Sequence, residues 1–280
     1  MYTCRDNPIL RVPGANSVRR RLPQGIAAAG VIAATAWRAR ALTKDGALAA
    51  TAVGALVLAG AGVRGSAALV SYFASSSLLG RLPASSAQQQ RRGNRRDAVQ
   101  VLANGGPAAT LALALAVASG RQQRIAEAAF YSSIAAAAAD TWATEIGTRW
   151  GGQPRVLLLG PQAPAGTSGG VSGAGLAASC AAAASIALLA AAPNQGRGLG
   201  AAVLIGGVSG SLADSVIGAT VQERRWCDAC LLATESPRHS CGTETRHIGG
   251  IPGCTNDIVN VLGILVGATA GAITAARLDS

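Results

Sequence analysis

Eight runs of small and aliphatic residues, separated by short polar stretches, constrain this chain more than any other feature. They are Gly25–Trp37, Ala47–Val63, Ser66–Gly80, Ala98–Ser119, Ile125–Ala139, Val171–Ala192, Leu199–Gly218 and Ile258–Ala276. Several reach the ~17–25 residues that carry a helix across a bilayer. Gly and Ala dominate them, which suits close helix–helix approach in lipid. Half of the 280 residues are apolar, only 13% are charged, and the mean hydropathy is +0.33. Soluble domains seldom combine these values. The expectation is an all-α fold: a polytopic transmembrane helical bundle with Gly/Ala-rich packing and about seven spans, within a range of six to eight.

A net charge of +11 would point to nucleic acid in a soluble protein. Here the basic residues lie in loops between apolar runs, where they orient a membrane protein. The bilayer is therefore the expected partner, and nucleic acid is not. Residues 1–24 form an Arg-rich tail or targeting remnant, and 25–280 form a single integral membrane domain. That domain includes a basic loop at 81–97 and a cysteine-containing loop at 223–255. Only Arg64 and Gly65 separate two of the runs, which predicts a tight helical hairpin.

Alternating the loops across the membrane gives one face most of the basic residues: Arg38, Arg40, Lys44, the Arg81–Arg96 group, Arg149, Arg155, Arg224, Arg225, Arg238 and Arg246. The other face receives Arg64, Arg121, Arg124, Arg197, Arg277 and the N-terminal tail. The positive-inside rule makes the first face cytoplasmic, or stromal in a plastid. The tail's arginines run against that orientation.

The polar residues inside or beside the apolar runs gather on that same basic face. Asp140 and Glu145 fall where a helix is expected to end, and a carboxylate in the bilayer centre costs roughly 2.5–3.5 kcal/mol. They stand five residues apart, about 140° around a helix. Asn256, Asp257 and Asn260 share one helical face. Asp214 and Gln222 close another span, while Lys44 and Asn104 lie near two more. Carboxylates and amides without histidine are hard oxygen ligands that suit Mg²⁺, which binds one or two carboxylates plus substrate phosphates. The loop Gly166, Thr167, Ser168, Gly169, Gly170 opens a helix, so its backbone N–H groups favour a phosphate. Lys44 and Arg96 would offset the phosphate charge. No G-x-x-x-x-G-K-[ST] run is present, so this is not a P-loop enzyme. Trp37, Trp142, Trp150 and Trp226 fall near span ends, as an interfacial aromatic belt would place them.

Of six cysteines, Cys227, Cys230 and Cys241 crowd into one loop with His239. The pattern allows either reduced thiols or a closed Cys₃His site for structural Zn²⁺.

The segments Ala41–Ala47, Gln100–Gly106, Ala139–Gly147, Gly166–Ser172, Asp214–Gln222 and Asn256–Asn260 together resemble DUF92, a family of integral membrane proteins. That family includes the animal transmembrane protein 19 type and the plant phytyl-phosphate kinase of the vitamin E pathway. The resemblance spans roughly residues 25 to 276 in the family's order. It departs between Val156 and Ala165, where the family has a more polar segment with a basic residue. A cysteine cluster before the Asn-Asp-x-Val-Asn motif is shared by many members.

The resemblance implies a membrane-bound transferase. It would move a phosphoryl group from CTP, UTP or ATP, with Mg²⁺, to phytyl or a related isoprenyl monophosphate, as in tocopherol biosynthesis. In a plant or alga the implied location is a chloroplast membrane. Asp140, Glu145, Asp214 and Asp257 would hold Mg²⁺ or orient phosphates. Lys44, Asn104, the 166–170 loop, Gln222, Asn256 and Asn260 would contact substrate. The rival expectations are a transporter of a cation or small solute, which would need polar groups along a path through the bilayer, and a non-catalytic membrane protein.

Overall fold

The computed structural model describes residues 15–82, 95–157, 160–191 and 198–278. The start of the arginine-rich tail, Arg91 and Arg92 of the basic loop, and Arg197 lie outside the described residues. Seven helices follow in order: α1 (Ala15–Arg38), α2 (Lys44–Leu79), α3 (Ala98–Val117), α4 (Gly120–Trp150), α5 (Gly173–Ala190), α6 (Gly198–Thr220) and α7 (Asn256–Leu278). Five of them, α2, α3, α5, α6 and α7, are long and apolar enough to cross a membrane. Helix α1 extends back through Arg19–Arg21 to Ala15, beyond the expected start at Gly25.

Helix α2 is two arms. Gly62 breaks it with φ 70° and ψ −167°, a backbone conformation open to glycine. Val53 and Gly54 of the first arm line the same slot as Leu69, Tyr72 and Phe73 of the second. The arms therefore run antiparallel, and the hairpin expected at Arg64 forms two residues earlier. Counting both arms, the described residues form eight helical segments.

Helix α4 is its axis. Every residue from Ala128 to Ala139 is buried. A helix that is apolar all round must be enclosed on all sides, and the small alanines let its neighbours approach closely. Phe130 and Tyr131 supply most of the bulk at its widest point, their rings edge to face at 5.0 Å.

Glycines draw α6 and α7 into near backbone contact. A Cβ on Gly267 would stand 2.7 Å from the Gly206 carbonyl, and one on Gly210 would stand 2.9 Å from the Gly263 carbonyl. Gly206 and Gly210, like Gly263 and Gly267, are one turn apart, the small-xxx-small spacing of tight membrane helix pairs. Ala136 of α4 fits into the same seam, 2.8 Å from where a Cβ on Gly267 would be.

Outside the helices the chain adds structure that an all-α expectation omitted. Strands β1 (Arg155–Val156) and β2 (Gly170–Val171) close the glycine-rich loop into a hairpin. The cysteine loop folds into an antiparallel sheet of β3 (Arg224–Cys227), β4 (Leu232–Thr234) and β5 (Arg246–Gly249), in the order β4-β3-β5. Arg225 braces this sheet: it donates to the Thr245 hydroxyl at 2.8 Å and carbonyl at 2.6 Å, and pairs with Glu223 at 2.6 Å. Glu223 in turn accepts the Gly253 N–H at 2.8 Å, tying the sheet to the approach to α7. The Gly253 amide, followed by Arg225, holds the Glu223 carboxyl below the usual carboxylate range.

Candidate active site at one end of the bundle

Where α4, α6 and α7 separate beyond their small-residue seam, polar residues enclose a chamber of about 280 Å³. One water needs only ~10–15 Å³, so the space suits a polyatomic ligand. Three carboxylates reach it from three helices: Asp140 on α4, Asp214 on α6 and Asp257 on α7. Asp140 continues into Thr144 and Thr148 at four-residue steps, one helical face. Asp214 continues in the same way into Gly218, with Gln222 just past the helix end. The whole 166–172 segment forms one wall. Gly169 has φ +74° and lies so close to α6 that a Cβ there would stand 2.6 Å from the Ser215 carbonyl. Ser172 caps α5 by accepting the Gly175 N–H at 3.1 Å.

A smaller chamber of about 10 Å³ lies directly beneath, roughly the space of one water. Asp140 and Asp214 line both chambers. Asn104 and Asn260 line the inner one together with the two aspartates. Asn104 itself donates to the Gln100 carbonyl at 3.0 Å. Asn256 lines the outer chamber, one turn above Asn260.

Three expected contributors stand elsewhere, one of which, Arg96, lines a slot beside α2 and neither chamber. Glu145 does not line either chamber; it pairs with Arg149 at 2.5 Å, with both side chains buried. The 140° separation from Asp140 explains why one helix cannot aim both acids at one site. Arg149 also donates to the Leu82 carbonyl at 3.0 Å, so the pair fastens α4 to the end of α2. Lys44 is exposed at the first residue of α2 and lines neither chamber. Its motif joins two helix starts instead: Thr43 N–H donates to the Arg96 carbonyl at 3.0 Å, and Asp45 accepts the Ala98 N–H at 3.1 Å.

Helix α4 also runs past its expected end to Trp150. Asp140 therefore sits within the helix, twenty residues and about 30 Å from Gly120. Trp142 is no belt residue; its indole donates to the Ser75 hydroxyl at 3.1 Å inside the bundle.

Other lining residues carry no signal as strong as an acid inside an apolar run. They include Gln100, Thr144, Thr148, Ser179 and Ser211, of which the two threonines follow from four-residue steps after Asp140. Glu235 comes from the cysteine loop, one residue after β4, and accepts the Ser168 hydroxyl at 3.3 Å. Only the folded sheet brings it there. Among the described residues of the segment 156–165, which departs from the family pattern, Ala165 alone lines the chamber.

The chamber's electrostatics follow from its lining. Four carboxylates face it, and among the described lining residues none is Lys or Arg. An anionic ligand needs a cation to enter such a space. The donors are hard oxygens, which fit Mg²⁺. Within the described protein, the buried Gln222 amide nitrogen and Ser179 hydroxyl have no hydrogen-bond partner, and both residues line the chamber. Buried polar groups are normally satisfied, so both are disposed to meet a polar ligand.

These features define a multi-pass integral membrane protein in which acids from three helices converge on one polar pocket at one end of its bundle. The chain belongs to the family described as Integral membrane protein DUF92, which matches residues 27–268. It is similar to Protein PGR of Arabidopsis thaliana, 29% identical over 233 residues, covering 74% of this chain and 80% of that protein. No solved structure matches it.

Proposed function

We propose that this protein is a membrane-bound prenyl-phosphate kinase, transferring a phosphoryl group from a nucleoside triphosphate to phytyl or a related isoprenyl monophosphate. The observation that carries this reading is the acidic chamber at the end of the bundle, walled by a glycine-rich loop at a helix start. Phosphoryl transfer depends on positioning and on charge neutralisation more than on covalent help from the protein. Asp140, Asp214 and Asp257 would hold Mg²⁺, which supplies the positive charge that no lining side chain provides. The 166–170 backbone, Gln222, Ser179 and Asn256 would orient the phosphates. The acceptor is already an anion, so no proton-abstracting base is required.

An apolar slot of about 100 Å³ between α1, α2 and α3 suits the prenyl chain. Ile32, Val53, Leu69 and Phe73 line it, and it shares Asn104 with the inner chamber. A lipid tail in the slot would bring its headgroup toward Asp140.

The test supplies membranes containing the protein with phytyl or geranylgeranyl monophosphate, Mg²⁺ and labelled CTP, UTP or ATP. Label should appear in the prenyl diphosphate from one donor and vanish with Asp140→Asn. Folded protein that transfers label from none of the three would overturn the kinase and favour transport, for which a cation at Asp140 and Asp214 is the starting point.

A further inference from the structure

The extramembrane sheet carries a second cluster of ligand-type side chains, chemically unlike the chamber. Cys227 and Cys230 flank the turn between β3 and β4. His239 and Cys241 sit in a second turn, closed by the Arg238–Glu244 bridge and by the His239 N–H donating to the Thr243 carbonyl at 2.9 Å. The two turns meet, so that one ligand atom from each of the four residues lies within 4.8 Å of every other. Cys227 and His239 are buried within the ribbon.

The separations discriminate between fates for the sulfurs. A disulfide needs about 2.0 Å between them. Two thiolates on one tetrahedral ion at ~2.3 Å stand about 3.8 Å apart. The Cys227 and Cys241 sulfurs are 3.6 Å apart, and His239 Nδ1 is 3.1 Å from the Cys241 sulfur. Three thiols and an imidazole are soft-to-borderline ligands that select zinc over Mg²⁺. Cys254 lies in the same loop but outside the cluster.

We infer that Cys227, Cys230, His239 and Cys241 bind one Zn²⁺ in a closed structural site that pins the β4 end, and with it Glu235, at the chamber. Four protein ligands leave no open position, so the ion does not act on substrate. A three-stranded sheet of strands this short has little core of its own, and small units of this kind use a metal to fold. Among the described residues, the chamber's one lining acid from outside the helices then depends on the ion, through the short link from Leu232 to Glu235 and its bond with Ser168.

Metal content of the purified full-length protein, prepared without chelator, tests the site without reference to any substrate. About one zinc per chain is expected, falling toward zero in the Cys227→Ser, Cys230→Ser double variant and unchanged in Cys254→Ser. If the double variant fails to fold, wild-type protein stripped by chelator should show a thiolate-to-cobalt charge-transfer band with Co²⁺, abolished by added Zn²⁺. Stripping should also speed tryptic cleavage at the exposed Arg238 and Arg246. Wild-type protein with neither zinc nor a cobalt band, zinc retained by the folded double variant, or iron in its place would overturn the assignment. Cleavage unaffected by stripping would overturn the structural role.

Discussion

The two halves of the α4, α6 and α7 cluster use the same helix faces for opposite ends. On α4 one four-residue row reads Ser132, Ala136, Asp140, Thr144, Thr148; on α6 it reads Gly206, Gly210, Asp214, Gly218, with Gln222 just past the helix end. Helix α7 runs the other way, with Gly271, Gly267 and Gly263 before Asn260 and Asn256 are reached. In the sealed half the small residues allow backbone to meet backbone. In the open half, the same rows turn polar and the helices enclose the chamber. The seam sets the spacing and rotation of three helices, so the acids one turn further along are placed by rigid elements. Sites on such elements are held more closely than sites on loops.

Breaking the sealed half should have the largest effect. Gly267→Leu drives a side chain into the Gly206 carbonyl and Ala136, an overpacking that should cost about 3 kcal/mol or more. Folded yield and Tm in detergent should collapse together. Asp140→Asn attacks the open half alone: phosphoryl transfer should fall about 10²–10³-fold, as when one electrostatic stabiliser of a transition state is removed. Its Tm should remain within a few degrees of wild type. Glu145→Gln should reverse that pattern. It loses a buried, charge-assisted contact worth about 2 kcal/mol, lowering Tm while activity per folded molecule holds.

A smaller effect is expected at Glu223. Its folded carboxyl titrates below the ordinary value, so its stabilisation is complete at neutral pH and is lost as pH falls through the folded value. The Tm gap between wild type and Glu223→Gln should therefore begin to narrow as pH falls below the ordinary glutamate value of about 4.3. Lys44→Ala should do least, about twofold or less in activity, as expected of an exposed position. A large loss there would mean that Lys44 reaches the phosphates, and that the chamber is wider than its lining indicates.

The bundle was legible because membrane spans advertise themselves by length and hydropathy. Asp140, Asp214, Asn256 and Asp257 stood out because acids and amides are costly within or beside apolar runs. Glu145 stood out for the same reason, yet hydropathy cannot distinguish an acid aimed at a cavity from one paired with an arginine four residues on. Helical periodicity carried that distinction, through the angle between Asp140 and Glu145. Lys44 drew notice as the single lysine, a feature of composition without geometry. Glu235 was beyond reach, since its place follows from a sheet whose strands are three or four residues long. The glycine seam was visible only as composition: which of 36 glycines touch another backbone depends on helix register.

The break at Gly62 has a consequence for how the protein lies across its bilayer. By doubling α2 back, it makes the number of helical segments among the described residues even. Arg21, near the start of α1, approaches Gly62, and Arg121 at the start of α4 donates to the Ala276 carbonyl near the end of α7 at 3.0 Å. Ala15 and Leu278, the ends of the described bundle, thus both lie at its end opposite the chamber. A reporter fused beyond either one should be reached from the side of the membrane opposite the chamber, which a membrane-impermeant label checks.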